Sequence, residues 1–158
     1  MSDNRYLIRL AEKNDDDFIL ALAPRLVDFS LPTWRRRHEC MEVIRESLRD
    51  HLEKRPEDSY IFVAENVGGK RIGFIHLQKT YDLFSGCHNA HIADLAVAAA
   101  HEGHGAGRAL LDHAERWARE HLCQLLTLAV FPGNQPARAL YGTVGFETDL
   151  LWLAKPVR

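Results

Sequence analysis

Three glycines at alternate positions mark the stretch of the chain that is best suited to hold a ligand. Gly103, Gly105 and Gly107 separate an extended, apolar run that ends at Val97 from an apolar helical pattern that begins at Leu110. Glycine allows a sharp turn and the close approach of a ligand, because it carries no Cβ atom. The backbone N–H groups of this turn are therefore available as hydrogen-bond donors.

The residues after the glycines predict a helix with one buried face. Its apolar members recur at intervals of three and four and are Leu110, Leu111, Ala114, Trp117 and Ala118. A helix N-terminus presents unpaired N–H groups and the positive end of the helix dipole. His104 and Arg108 can add positive charge beside it. This combination predicts an anion site that suits a phosphate or a pyrophosphate.

Two nucleotide-binding motifs are excluded by the residues that follow the glycines. A P-loop requires Lys and then Ser or Thr after its last glycine, whereas Gly107 is followed by Arg108 and Ala109. A dinucleotide fingerprint that starts at Gly103 requires its third glycine at position 108, which is Arg. A turn that only connects a strand to a helix is the remaining alternative.

Two segments resemble the signatures of the GCN5-related N-acetyltransferases, the GNAT family. The first signature, Val-x-x-x-x-Arg/Gln-Gly-x-Gly-x-Gly/Ala, is matched from Val97 to Gly107 except at Glu102. The second, Asn-x-x-Ala-x-x-Leu-Tyr-x-x-x-Gly-Phe, is matched at every fixed position from Asn134 to Phe146. We expect the Glu102 side chain to point away from the loop, because a carboxylate beside a pyrophosphate is repelled.

The resemblance implies a fold and a co-substrate. The fold is α/β, or α+β in some classifications, with a mixed, mostly antiparallel, twisted sheet of about six or seven strands and about four helices. Its central parallel pair of strands should splay apart, which leaves backbone amides free. Residues 1–158 form a single acyltransferase domain in this interpretation. Acetyl-CoA is the implied co-substrate, and no metal is expected.

The resemblance also assigns site residues to this chain. Contacts to the coenzyme are implied for Leu95, Ala96, Val97, Glu102, Gly103, His104, Gly105, Ala106, Gly107, Arg108, Asn134 and Tyr141. The Leu95 N–H would stabilise the oxyanion that forms on the thioester. The Tyr141 phenol would protonate the leaving thiolate. A Tyr141 that only packs on the inner face of its helix is the alternative.

An acceptor amine must lose a proton to attack, and three residues near the central strand could accept it through water. They are His88, His91 and Asp94, of which we favour Asp94 or His91. Strict alternation places His91 and Asp94 on opposite faces, unless a bulge lies between them. Polar residues that only complete the end of the sheet are the alternative. A metal site is disfavoured, because this spacing does not converge on a flat strand.

The remaining patterns predict the elements that position these groups. Extended runs predict strands at 6–10, 59–65, 71–78, 90–97, 125–131 and 146–153. Helices are predicted with Asn14 and Thr33 as N-caps, and a last helix runs from Asn134 to about position 144, with Gly145 as its stop. The loops at 28–34 and 79–88 are long enough to enclose a small acceptor.

Length and composition exclude several classes of protein. The chain has 158 residues, the size of one domain, and its 20 basic and 22 acidic residues do not suggest binding to nucleic acid or to a membrane surface. The cysteines, at 40, 87 and 123, are widely spaced, which is typical of a reducing compartment. The N-terminus is too polar for a signal peptide, and no apolar run suits a membrane span. We therefore expect a cytoplasmic protein.

These observations favour direct transfer of an acetyl group from acetyl-CoA to a primary amine of a small molecule. Asp82, Asp94 and Glu39 are candidate partners for a cationic acceptor such as a polyamine or an aminoglycoside. The basic run at 35–37 is expected to face solvent. A homodimer is left open. The alternatives are acetylation of protein amines, a CoA-binding sensor without turnover, and a nucleotide-binding regulatory domain.

Overall fold

The computed structural model describes residues 4–158. Its strands are β1 (Tyr6–Leu10), β2 (Ser59–Asn66), β3 (Arg71–Tyr81), β4 (His88–Val97) and β5 (Leu125–Leu128). Its α-helices are α1 (Asp16–Ala21), α2 (Arg37–Lys54), α3 (Ala106–Glu120) and α4 (Gln135–Thr143). None of the helices in the described part of the chain is both long and apolar enough to cross a membrane.

The five strands form one mixed sheet in which they follow their order in the sequence. The first four are antiparallel neighbours, and β5 lies parallel to β4. α3 connects β4 to β5, because two parallel neighbours cannot be joined by a tight turn. The glycine turn therefore lies where β4 ends and α3 begins.

Helices cover both faces of the sheet. On one face, Leu110 and Trp117 of α3 pack into a core cluster with Ile75 of β3. On the other face, Ile19 of α1 and Leu48 of α2 pack with residues of β2, β3 and β4. Full burial of each such side chain contributes about 1.5–3 kcal/mol to folding. β3 and β4 are covered on both faces, which makes them a rigid support for the site.

The sheet has five strands, and the prediction of about six or seven was wrong. Residues 146–153, predicted as a closing strand, form no strand, and β5 ends at Leu128 instead of at position 131. A strand requires a hydrogen-bonded neighbour, and among residues 4–158 no backbone segment pairs with 146–153. The apolar pattern of this segment is real, but its side chains from Glu147 onward are exposed.

The first two helices begin later than the sequence predicts. Asn14 lies inside a short 3₁₀ turn, so α1 starts at Asp16, and α2 starts at Arg37 instead of directly after Thr33. The Arg37 side chain is exposed, as expected for the basic run, but it also donates hydrogen bonds to the carbonyl oxygens of Val27 at 2.9 Å and Phe29 at 2.7 Å. These bonds hold the loop before α2 against the start of that helix.

Asp15 is buried and forms ion pairs with two arginines from different strands. Its carboxylate has no exposed surface and accepts hydrogen bonds from Arg9 at 2.7 and 3.0 Å and from the Arg71 Nε at 2.6 Å. The hydrogen bond from Arg9 holds the pKa of Asp15 at about 2, although desolvation opposes this shift. The network connects the start of α1 to β1 and β3.

Replacing Asp15 with Asn should lower the free energy of unfolding at neutral pH by roughly 2–5 kcal/mol, because Arg9 and Arg71 lose their buried anion. The wild-type carboxylate stabilises the fold fully above its unfolded pKa of 3.8, and this contribution disappears as the pH falls towards about 2. Urea denaturation across this range measures the difference between the two proteins, with the exposed Asp17→Asn as the control. A difference that does not shrink in acid would contradict this account.

Candidate functional site

The middle of β4 carries two titratable residues on one face. The register between β3 and β4 shifts at Ala93, where β4 has one extra residue. His91 then lies opposite Gln78, and Asp94 lies opposite His76. Since cross-strand partners share a face and His76 and Gln78 are two residues apart, His91 and Asp94 also share a face. The bulge that sequence reasoning gave as the condition for their convergence is present.

A buried histidine that sequence reasoning missed holds Asp94. His76 is 2% exposed, and its Nδ1 lies 3.2 Å from the Asp94 Oδ2 while its Nε2 lies 2.6 Å from the Ser59 Oγ. An ionised carboxylate only accepts hydrogen bonds, so the Nδ1 of His76 donates to Asp94, while the Ser59 hydroxyl can bond the Nε2 of either the neutral or the charged ring. His51 of α2 packs edge-on against His76, with ring centroids 4.7 Å apart. A histidine inside the apolar run of β3 was the only signal in the sequence.

The side chain of His91 contacts β5, the parallel neighbour of β4. Its Nδ1 is 2.9 Å from the Thr127 Oγ1 of β5. Burial lowers the pKa of His91, and the charge of Asp94 opposes this shift while His76 adds to it. The imidazole is therefore neutral at physiological pH, and Asp94 supplies the negative charge beside it.

β4 and β5 separate beyond the bulge. Their pairing ends at Ile92 and Leu128, whereas β4 continues to Val97. The Ala98 N–H donates to the Ile72 carbonyl oxygen of β3 at 2.8 Å. Because N–H groups alternate in direction along a strand, those of Leu95 and Val97 point away from β3. They face the region beyond Ile92 and Leu128 where β4 and β5 are no longer paired, which we call the opening. β4 thus continues beyond its last pair with β5, and two of its backbone donors face the side on which that pairing has ended.

The glycine turn adds further donors at the end of this opening. Gly103 and Gly105 have φ angles of 76° and 88°, which an L side chain rarely adopts. Among residues 4–158, the N–H groups of Gly103, His104 and Gly105 have no hydrogen-bond acceptor. The first N–H groups of α3, from Ala106 onward, also lack intrahelical partners. These donors can surround an anion, and Arg108 lies on the first turn of the helix.

Arg25, which sequence reasoning missed, pairs with the unusual Glu102. Its guanidinium forms an ion pair with the Glu102 carboxylate and another with Asp28 at 3.0 Å, and its Nε donates to the Val97 carbonyl oxygen at 3.2 Å. The negative charge of Glu102 is thus balanced beside the glycine turn. The Glu102 N–H donates to the Ala99 carbonyl oxygen at 3.4 Å, so this amide is partly used within the protein. No pattern in the sequence connects Arg25 with Glu102.

The second signature folds as a helix that packs beside the first. The Asn134 side chain accepts a hydrogen bond from the Ala137 N–H at 3.4 Å, which confirms the predicted N-cap of α4. Tyr141 packs against the same core cluster as Leu95 and Val97. Burial raises the pKa of the Tyr141 phenol, which therefore keeps its proton at neutral pH. Its ring contacts Phe146 edge-on at a centroid distance of 5.6 Å.

The loop before α2 lies against the segment between β5 and α4. Phe29 contacts Phe131 at a centroid distance of 5.8 Å, and the Arg35 guanidinium lies 5.4 Å from the centroid of the same Phe131 ring. Gly133 approaches Ser30 so closely that a Cβ on Gly133 would overlap the Ser30 carbonyl oxygen. The loop at 28–34 is therefore held beside the strand that opens away from β4.

Three predicted residues lie elsewhere. His88 begins β4 beside Tyr81 and precedes Asp94 by six residues, which is about 20 Å along a strand. Glu39 is exposed on the first turn of α2, and its carboxylate lies 3.5 Å from Arg36. Asp82 lies in the turn between β3 and β4, at the end of β4 that is remote from Asp94.

That turn is shorter than predicted. It comprises residues 82–87 instead of 79–88, because β3 extends to Tyr81. Asp82 accepts hydrogen bonds from the side chain of Asn89 at 3.0 Å and from the backbone of Phe84 at 2.8 Å, and the Asn89 bond is the main reason that its pKa is lowered. Asp82 therefore stabilises this turn, and of the three acidic candidates only Asp94 lies beside the opening.

The comparison with known families agrees with this geometry. The model of the Acetyltransferase (GNAT) family matches residues 23–146, which include the Asp94 network, the glycine turn and α4. The chain belongs to the GNAT family of acetyltransferases. Streptothricin acetyltransferase from Streptomyces lavendulae is 36% identical over 97 residues, which are 61% of this chain and 49% of that protein. The match thus spans about half the length of this curated relative.

Solved structures share the fold along nearly the whole length of this GNAT protein. A protein from Pyrococcus furiosus assigned as an acetyl transferase has a TM-score of 0.77 at 27% identity, with 96% of this chain and 99% of that one covered. The aminoglycoside N-acetyltransferase AAC(6')-Iy in complex with CoA has a TM-score of 0.70 at 17% identity, with 97% and 95% covered. The second likeness concerns the fold alone.

Proposed function

We propose that this protein transfers the acetyl group of acetyl-CoA directly to a primary amine of a small molecule. The observation that carries this proposal is the opening between β4 and β5, which combines the N–H groups of Leu95 and Val97 with the glycine turn at its end. Membership of the GNAT family and the streptothricin acetyltransferase relative support the reaction class.

The residues of the opening fit the coenzyme. The free amides of Gly103, His104 and Gly105, with the start of α3 behind them, bind the diphosphate, and Arg108 adds a positive charge. The Val97 N–H pairs with the pantetheine arm, which lies where β5 has separated from β4. Ala96 and Asn134 line the same arm. When bound, acetyl-CoA supplies an acetyl thioester whose carbonyl carbon is the electrophile.

The protein then stabilises the two charges that the reaction creates. The Leu95 N–H donates to the developing oxyanion, which is the role of an oxyanion hole. Tyr141 donates its phenolic proton to the departing sulfur. The raised pKa of Tyr141 suits this role, because the phenol remains protonated across the physiological range.

Asp94 accepts the proton that the amine must lose, through a water molecule. The hydrogen bond from His76 orients its carboxylate, and the Nε2 of that histidine is bonded to the Ser59 hydroxyl. The ionised carboxylate also attracts a cationic acceptor. His91 on the same face is the alternative base, since its lowered pKa keeps it neutral and able to accept a proton.

Transfer is direct, without an acetylated cysteine. The pKa of the Cys123 thiol is raised by burial, so little thiolate forms. Cys87 lies in the turn at 82–87, at the far end of β4. The held loop at 28–34 favours a small acceptor over a protein tail, because it covers the side of the opening next to Phe131.

Tyr141→Phe should reduce release of free CoA thiol from acetyl-CoA and an amine panel by roughly 10²–10³-fold, because the leaving thiolate loses its acid. Calorimetry should show an affinity for CoA within about threefold of wild type, since the ring remains. Tyr60→Phe, which alters a tyrosine packed on Trp117 away from the opening, is the matched control. Wild-type protein that binds acetyl-CoA but releases no thiol with any amine would support the sensor instead.

Asp94→Asn should lower kcat by roughly 100-fold or more, as loss of a general base does, whereas His91→Gln should cost less than about tenfold. Steady-state rates with a saturating amine compare the two variants. If His91 is the base, activity falls as the pH drops through the pKa of this residue, which burial lowers below 6.5. His91→Gln should remove that pH dependence. A large loss in His91→Gln with near-normal rates in Asp94→Asn would therefore exchange the two roles.

Arg25→Gln should weaken CoA binding by roughly 3–10-fold, because the Glu102 carboxylate then faces the diphosphate uncompensated. Adding Glu102→Gln to the Arg25→Gln variant should restore most of that affinity. Calorimetry at two salt concentrations measures the CoA affinity of each variant. The loss of affinity in Arg25→Gln should be smaller at high salt. Asp28→Asn, which removes the other acidic partner of Arg25, is the control. An equal loss in the single and the double variant would show that Arg25 acts without Glu102.

A further inference from the structure

The glycine turn is held by a tyrosine from the far edge of the sheet. The Tyr6 hydroxyl donates a hydrogen bond to the His104 carbonyl oxygen at 2.6 Å, although the two residues are 98 positions apart in the chain. Tyr6 begins β1, which lies at the opposite edge of the sheet from β5. The sequence patterns predicted a strand at Tyr6 and gave no sign of a contact with the glycine turn.

Several contacts fix the Tyr6 side chain in place. β1 pairs with β2 from Tyr6 onward, where Tyr6 lies opposite Asn66. The Tyr6 ring packs against the core cluster beneath α3, and the Arg5 guanidinium lies 5.5 Å from the ring centroid. Further along β1, Arg9 donates hydrogen bonds to Asp15 and to a carboxylate of β2. The Tyr6 hydroxyl is therefore a preorganised donor at the glycine turn.

The peptide unit that Tyr6 holds is one that can rotate easily. It joins His104 to Gly105, and its rotation changes the ψ angle of His104 and the φ angle of Gly105. Gly105 has a φ of 88°, and glycine adopts positive and negative φ angles about equally readily, because it carries no Cβ atom. The backbone of the turn by itself therefore does not determine which way the Gly105 N–H points.

The orientation of this peptide unit decides whether the turn attracts or repels an anion. The C=O and N–H groups of a trans peptide point in opposite directions. With the carbonyl oxygen directed at Tyr6, the Gly105 N–H points away from β1. The opening lies beyond β4, so it is on the side of the turn away from β1. The flipped peptide would present a carbonyl oxygen where the turn otherwise presents a donor to an anion.

We propose that Tyr6 is a positioning residue for the coenzyme, because its hydroxyl keeps the His104–Gly105 peptide in the orientation that offers the Gly105 N–H to the diphosphate. This role rests on the proposed function, since it requires that the glycine turn binds the diphosphate of CoA. Tyr6 acts through the backbone and contacts neither the thioester nor the amine. Its loss should therefore weaken binding of the coenzyme and leave acetyl transfer unchanged.

Calorimetry with CoA tests this role directly. Tyr6→Phe keeps the ring and removes the donor, and it should raise the Kd for CoA by roughly 3–10-fold, the effect of one lost hydrogen bond. Dephospho-CoA keeps the diphosphate and lacks the 3′-phosphate, so its Kd should rise by the same factor. Tyr60→Phe is the matched control, because it removes a hydroxyl from a tyrosine of the same core cluster that packs on Trp117. Its affinity for CoA should equal that of the wild type.

Steady-state kinetics separate positioning of the coenzyme from general support of the fold. Tyr6→Phe should raise the KM for acetyl-CoA by the same factor as the Kd, whereas kcat with saturating acetyl-CoA and amine should stay within about twofold of wild type. The KM for the amine should not change, because the acceptor does not contact the glycine turn in this account.

The outcomes distinguish failure of this inference from failure of the proposed function. A wild type with no affinity for CoA would overturn the proposed function and the role of Tyr6 with it. A wild type that binds CoA, together with a Tyr6→Phe variant of equal affinity, would overturn the role of Tyr6 alone. A loss confined to CoA and absent with dephospho-CoA would assign Tyr6 to the 3′-phosphate instead and would overturn it as well. So would a fall in kcat as large as the rise in KM.

Discussion

The site depends on the point at which β4 and β5 stop being hydrogen-bonded to each other. Their pairing ends at Ile92, and the extra residue Ala93 follows at once on β4. The bulge places Asp94 beside His91, and the separation of the strands leaves the Leu95 and Val97 amides without acceptors. A fully paired sheet would have used these amides internally and placed the two titratable side chains on opposite faces. The bulge and the end of the pairing with β5 thus lie at neighbouring positions of β4.

Charge around the opening is arranged in pairs that reach beyond the signature motifs. Arg25, from the segment before α2, balances Glu102 at the start of the glycine turn, and His76, from the centre of β3, holds Asp94. In both cases the partner belongs to a part of the chain that is remote in sequence. Glu102, which departs from the family pattern, is thus paired with an opposite charge in this fold.

Local patterns in the sequence predicted much of the fold. Alternating and continuous apolar runs located β1 to β4, and the glycine pattern with the stripe from Leu110 located α3, because these signals report backbone geometry and burial directly. The predicted starts of α1 and α2 were wrong, since Asn14 and Thr33 are good caps in isolation, but the Asp15 and Arg37 contacts determine where the helices begin. A cap residue contributes about 0.5–2 kcal/mol, so tertiary hydrogen bonds from charged groups, at about 1.5–3 kcal/mol, can move the start of a helix.

The sequence by itself determined the glycine turn, the helix that follows it and the second signature from Asn134 to Phe146, because these features require particular residue types at fixed spacings. Only the tertiary structure decided that His91 and Asp94 share a face, that His76 supports Asp94, and that Arg25 neutralises Glu102. It also decided that residues 146–153, predicted as a strand, remain outside the sheet. Each of these outcomes depends on register or on contacts between distant segments, and a strand shifted by a single residue reverses every side chain on it. Spacing along one chain contains no such information.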